Sequence, residues 1–401
     1  MSRPWRPVAA CLQVLSALLG IAAVPAAATE PATVALTYEQ AEDRSNFIAQ
    51  VRKARQGDTE AQWQVGLTYA KLGDPARALP MLQSAAGAGQ PRAATLLGWL
   101  HEDGRGTERS VEEAKRWYRF AAEQGEADAM AALGRLLLQE KLPEARAAAR
   151  QLFRRAAELK DPDGQYYLGW MLTEAAGDLQ DDVQAYGWFV KAARQGHIGA
   201  QLAVATHLLT GRGVAVDTKA AGEWLLRAAE TRDPVANYLL GRFSEDAGQG
   251  HFDEARNSYR IAAAAGHREA QFALAAMLAK SAAEADRKEA AEWFGKADEA
   301  GHKAAANGLG ELYRDGAGAL QHLGKARTIF QRAAEHGDPD AMYNLAGMQD
   351  AGLGGPRDTD KALEWYARAA DQGHEKASEV IGRLLNSSIK TSALGLKGFW
   401  Q

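Results

Sequence analysis

The sequence predicts an all-α protein, a right-handed superhelical solenoid of about nine two-helix repeats. Two recurrences carry this reading. A small residue that opens an amphipathic helix returns at Ala61, Ala93, Ala129, Gly164, Ala200, Ala236, Ala270, Ala305 and Ala341, at intervals of 32 to 36 residues. A period of that length marks a helical solenoid. Within each interval a second alanine stands three residues before a bulky pair, at Ala78, Ala114, Ala149, Ala185, Ala221, Ala255, Ala290, Ala326 and Ala362. No strand alternation and no dividing linker is visible. A repeat array grows in one dimension, so 401 residues need not mean several domains.

The first segment reads as a targeting signal. Arg3 and Arg6 precede an apolar run over 8–24, and Ala26-Ala27-Ala28 offers a small-residue cleavage site. Residues 1–28 are therefore expected to be removed by a cut after Ala28, leaving a periplasmic or secreted chain. The run is short and broken by Gly20 and Pro25, which disfavours a membrane anchor, and no later segment is apolar enough to span a bilayer. The single cysteine, Cys11, stands too early for a lipoprotein and would leave with the signal, so the mature chain is expected to hold no disulfide and no thiol nucleophile. Without Arg3 and Arg6 it carries 45 basic and 51 acidic residues, net −6, which argues against nucleic acid as partner.

Residues 29–60 are expected to form an N-terminal helical cap. They become helical near Tyr38 and end in Ala54-Arg55-Gln56-Gly57-Asp58, like the close of a second helix. The repeats follow over 61–386, and 93–126 shows their logic best. Ala114, Trp117, Tyr118, Ala121 and Ala122 form one stripe at helical spacing. Ser110 with Glu113 reads as a capping box, and Gly125 suits a left-handed helix end. Capping residues return at Asp181, Asp217, Asp286 and Asp358, seven positions before a tryptophan. The pairs Trp117-Tyr118, Trp188-Phe189, Trp224-Leu225, Trp293-Phe294 and Trp365-Tyr366 are placed in the core by their periodicity. A closing helix is expected over 377–386. Residues 387–401 read as a flexible tail ending in Phe399-Trp400-Gln401, with a docking peptide as the alternative.

These motifs carry a resemblance. Ala93…Leu97-Gly98, Gly104-Arg105-Gly106, Ala114…Trp117-Tyr118 and Ala121-Ala122…Gly125 are similar to the Sel-one-like repeat family, a branch of the tetratricopeptide-like solenoids. So are Gly352-Leu353-Gly354, Lys361-Ala362, Trp365-Tyr366, Ala369-Ala370 and Gly373, and Gly211-Arg212-Gly213 with Trp224. The resemblance covers about 61–386. Repeats starting at Ala61, Ala129, Gly164 and Ala270 lack the glycine pair, and Lys160 and Arg232 replace a closing glycine. The family implies an adaptor or scaffold, in bacteria often tied to envelope assembly and exopolysaccharide export.

No catalytic constellation emerges. The glycine pairs lie between helices with no following G-K-[ST], so they are expected to be turns and not phosphate loops. His197, His267, His302 and His374 recur at equivalent places, too far apart to share a zinc ion. The acidic residues sit mostly at caps and solvent positions. No catalytic residue, cofactor or metal is therefore expected. Counted from each opening residue, positions +2, +6 and +9 lie opposite the core stripe and carry Trp63, Trp99, Arg135, Tyr166, Trp170, Tyr238, Arg242, Glu245, Phe272 and Tyr343. Aromatics and arginine anchor interfaces, so this row is the expected partner-binding face, set against the plainer reading that the +2 aromatics pack on the next repeat. The expected function is an exported, non-enzymatic protein–protein interaction scaffold of the bacterial envelope, assisting a secretion or exopolysaccharide-export complex. A polysaccharide or peptidoglycan binder, with aromatics stacking on sugars, is the alternative; a cell-wall enzyme or β-lactamase is a third reading.

Overall fold

The computed structural model describes residues 41–174, 181–316 and 321–383. The expected signal and its cleavage point, residues 384–386 of the expected closing helix, and the Phe399-Trp400 tail lie outside them. The chain forms two compact units, Met1–Ala228 and Ala229–Gln401, and each is described by itself.

In the first unit α1 (Ala41–Arg55) covers the opening repeat, which is α2 (Thr59–Lys71) and α3 (Pro75–Gly87). Three complete repeats follow: α4 (Pro91–Asp103) and α5 (Val111–Glu123), α6 (Ala127–Gln139) and α7 (Pro143–Glu158), α8 (Pro162–Glu174) and α9 (Asp182–Arg194). The fifth is α10 (Ile198–Thr210) and α11 (Thr218–Glu230), whose last turn crosses the unit boundary. The second unit holds α12 (Pro234–Asp246) and α13 (Phe252–Ala264), joined through a short 3₁₀ turn, Gln249–His251. It continues with α14 (Arg268–Ala279) and α15 (Glu284–Glu299), α16 (Ala305–Asp315) and α17 (Leu323–Glu335), α18 (Pro339–Ala351) and α19 (Thr359–Asp371), and a last helix over 375–383. The described residues thus contain nine helical hairpins and no strand. Inside each unit a first helix packs on its own second helix, and that second helix on the next first helix.

Small residues meet large ones at the centre of each hairpin. The opening alanines are buried, as are Val65, Leu97, Leu133, Leu168, Val204, Leu274 and Leu345 one turn on. The glycine that follows several of these is required by close approach: a Cβ on Gly98 would lie 2.6 Å from the Tyr118 ring, and one on Gly134 2.7 Å from Phe153. The second member of each bulky pair fills this space, with Tyr118, Phe153, Phe189, Leu225, Tyr259 and Phe330 buried. The first member does not. Trp117, Trp188, Trp224, Trp293 and Trp365 are only half-buried, so their expected place in the core is corrected. An indole one position round the helix from the core points along the flank, where its outer face is covered by a cation. Lys191 lies 3.6 Å from the ring centre of Trp188, Lys296 4.0 Å from that of Trp293, Arg227 4.8 Å from Trp224 and Arg368 4.7 Å from Trp365.

The glycine pairs are turns. Gly104, Gly211 and Gly352 end a first helix in the left-handed conformation. The second glycine of each turn lies against the start of the previous repeat's second helix; a Cβ on Gly213 would sit 2.1 Å from the Asp182 carbonyl oxygen, and one on Gly354 2.3 Å from that of Leu323. Lys160 and Arg232, standing where other repeats have glycine, keep the left-handed backbone with φ of 66° and 60°. The departures from the repeat pattern therefore preserve the turn at the cost of some backbone strain.

Candidate interaction surface

The junction between repeats is built from a residue three places before each opening residue. Its side chain accepts a hydrogen bond from the amide of the third residue of the next first helix, one of the donors that a helix start leaves unpaired. Asp58, Asp233 and Asp338 do this for Ala61, Ala236 and Ala341 at 2.8–3.0 Å. His197, His267 and His374 do it through Nδ1 for Ala200, Ala270 and Ala377 at 3.0, 3.2 and 3.1 Å. Each histidine also stacks on the +2 aromatic of the repeat before it: His197 on Tyr166 at 4.5 Å, His267 on Tyr238 at 4.7 Å, His374 on Tyr343 at 4.6 Å, and the equivalent His302 on Phe272 at 4.1 Å. Nε2 then meets the carboxylate just ahead of the opening residue, Asp163 at 3.1 Å, Glu269 at 2.9 Å and Asp340 at 3.3 Å for His197, His302 and His374.

These contacts account for four residues of the expected binding row. Tyr166, Tyr238, Phe272 and Tyr343 hold neighbouring repeats together, and Tyr238 is buried. Burial, with Asp163 nearby, pushes the Tyr166 phenol up to about 12. Other junctions use the same two places with different chemistry. Gln90 reaches Glu60 at 2.8 Å, and Arg92 faces Glu126 at 3.7 Å with the charges exchanged. Between the third and fourth repeats two acids meet. Asp161 is buried, accepts from the Gly164 amide at 2.6 Å, and its carboxyl is pushed up to about 7 by burial first, then by Asp163 and Asp128.

The remaining row divides by unit. In the first, Trp63, Trp99 and Trp170 are half-buried, and each carries an arginine over its ring: Arg92 at 5.3 Å, Arg105 at 4.8 Å and Arg146 at 5.7 Å. Arg135 of α6 reaches back to Glu102 of α4 at 2.6 and 2.7 Å, and Glu102 also accepts from the Tyr118 hydroxyl at 3.0 Å. Both side chains of this ion pair are more than four-fifths covered. Burial works against the Arg135 charge, but Glu102 outweighs it and the guanidinium stays firmly protonated. Burial and the neighbouring Glu102 hold the Tyr118 phenol far above its ordinary range. In the second unit Glu245 accepts from the Tyr259 hydroxyl at 2.6 Å, and Arg242 lies 3.5 Å from the Tyr238 hydroxyl. Arg135, Arg242 and Glu245 are thus partly committed to internal pairs, whereas the three tryptophans are half-exposed.

Sequence reasoning passed over Glu102, the junction histidines as caps, and a third recurrence. Gln62, Gln165, Gln201, Asn237 and Gln271, each just after the opening residue, donate their amides to a carbonyl at the end of the preceding second helix, at 3.0–3.5 Å. All three signals stood in the sequence as residues repeated in phase.

Comparison with known proteins agrees with this geometry. The Sel1 repeat model matches residues 91–126, 127–161, 162–197, 198–230, 268–302, 303–338 and 339–374. The gap at 231–267 is the hairpin of α12 and α13, where Ser258 stands in place of the usual tryptophan. A chitin synthase regulator of Saccharomyces cerevisiae is 28% identical over 235 residues, 55% of this chain, and the match spans only 34% of the yeast protein. An exopolysaccharide production negative regulator of Rhizobium leguminosarum bv. viciae is 32% identical over 158 residues, 36% of this chain and 59% of its own length. The crystal structure of a protective antigen of uropathogenic Escherichia coli, described as displaying an SLR fold, matches with a TM-score of 0.63 at 29% identity, covering 84% of this chain and 73% of that one. Among the described residues no helix is long and apolar enough to cross a membrane. With seven matched repeats over more than half of its length, the chain belongs to the Sel1 repeat family.

Proposed function

We propose that this protein is an exported, non-catalytic adaptor of the bacterial envelope that binds a protein partner along the first-helix face of its first unit. The observation that carries the reading is the row Trp63, Trp99 and Trp170, half-exposed on the first, second and fourth repeats, with junctions fixed by side-chain pairs. Relatives named as regulators of exopolysaccharide and chitin production favour a regulatory adaptor acting on surface-polymer synthesis or export. The basic residues, apolar run and small-residue site within 1–28 support export. A protein ligand is preferred to a glycan because stacking on a sugar needs an open ring face, and at all three tryptophans an arginine lies over the ring. A photo-activatable residue at 63, 99 or 170, in cells producing the full chain, is expected to yield one shared cross-linked protein band. The same residue at exposed second-helix positions 119 or 154 should not. Equal labelling at both sets of positions would remove the basis for this face.

A further inference from the structure

We propose that the junctions capped by His197, His267 and His374 open in mild acid while the aspartate-capped junctions of the same array stay closed. The geometry requires it. In each of the three, Nδ1 accepts a hydrogen bond from a backbone amide, which fixes the neutral tautomer with the proton on Nε2. An imidazolium carries a proton on both nitrogens, so protonation sets donor against donor and removes the helix cap. Asp58, Asp233 and Asp338, capping through carboxylate oxygens in the same place, have no such conflict near neutral pH.

The surroundings decide how strongly each histidine responds. His197 faces Asp163 and the Tyr166 ring, and His374 faces Asp340, the Tyr343 ring and, more distantly, Asp338. Their partner carboxylates are more than half exposed, so water screens the attraction between carboxylate and ring. His267 has Val235 where the others have a carboxylate; Asp233, Glu269 and Arg268 act on it from further away, and it is stacked on Tyr238. Burial lowers its proton affinity, so acid that does charge it disrupts the junction most. His302 makes a different junction. Its Nδ1 takes no amide, because Ala305 donates instead to the His302 carbonyl oxygen at 3.1 Å. Junction opening would change the spacing of neighbouring first helices, giving acid a means of altering any surface those helices form.

The test is hydrogen exchange on the full chain at pH 7.5 and 5.5, normalised for the intrinsic rate at each pH. Segments containing the Ala200, Ala270 and Ala377 amides are compared with those containing the aspartate-capped Ala61, Ala236 and Ala341. A cap is worth about 1 kcal/mol, or about fivefold in opening. The histidine-capped amides are therefore expected to lose about fivefold in protection relative to the others, most at Ala270. Asparagine caps equally well without titrating in this range, so H267N and H374N should keep the protection of pH 7.5 and lose its dependence on acid. Parallel change at histidine- and aspartate-capped amides would overturn the proposal, as would an unchanged acid response in the asparagine variants.

Discussion

Individual residues set how much each turn and pair contributes. Gly213 combines a φ of +66° with a carbonyl oxygen in the space of its missing Cβ, whereas Gly125, at φ +95°, has open space there. Gly213→Ala is expected to cost about 3 kcal/mol, from left-handed strain plus displacement of the neighbouring backbone, and Gly125→Ala only about 1 kcal/mol; urea unfolding of the two variants gives the difference. Lys160 points the other way. It holds φ of 66° without being glycine, so Lys160→Gly should leave stability unchanged or raise it by up to about 1 kcal/mol in the same assay. Arg135→Met leaves Glu102 largely covered and without its cation, and should cost about 3 kcal/mol. A neutral Glu102→Gln background is expected to shrink that cost.

Elements show what the sequence made legible. The hairpins were readable because their signals are local and in phase: Ser110 caps α5 at Glu113, and Tyr118 with its alanines is the buried stripe. The flank position of Trp188, Trp224, Trp293 and Trp365 was not readable, because periodicity separates core from solvent but does not resolve a half-buried neighbour covered by a cation one turn on. The tyrosines at 166, 238 and 343 were expected on an outer face, but each ring lies 5.5–6.1 Å from the aromatic at the centre of its own hairpin, Phe189, Tyr259 or Tyr366. Their other neighbours are histidines some 30 residues away, a pairing that only the stacking of repeats creates. Junction elements also carry opposite responses to pH. Asp161 has a folded-state value raised to about 7 against an ordinary 3.8, so the folded form keeps the proton more readily than the unfolded chain. Its contribution is most favourable in acid and is lost as pH rises through 7. Burial lowers the values of His267 and His302, so their junctions lose stability as pH falls below about 6.5, where the unfolded chain binds protons first. Asp161→Asn keeps a capping oxygen and should raise stability by about 2 kcal/mol at pH 8 with little effect at pH 4, as read from melting temperature across that range.

At the scale of the whole chain, each repeat within a unit packs chiefly on its neighbours, so stability is close to a sum of repeats and junctions. Phe153 is fully buried at the middle of the first unit. Phe153→Ala is expected to cost about 4 kcal/mol. Its loss of exchange protection should appear first in α6 to α8 and reach α2 last; uniform loss across Met1–Ala228 would mean that this unit unfolds as one block.

The seam between repeats joins two kinds of contact. Where Gly213 meets Asp182 and Gly354 meets Leu323, backbone touches backbone, and such a contact accepts any side chains. The pairs beside it do not: His197 suits Asp163, and Glu126 suits Arg92. A repeat copied elsewhere in its gene would therefore find its backbone seat anywhere in the array, but its side-chain match only beside a compatible neighbour. The glycine turn makes duplication permissible, and the paired residues next to it set the order in which duplicated repeats can be read.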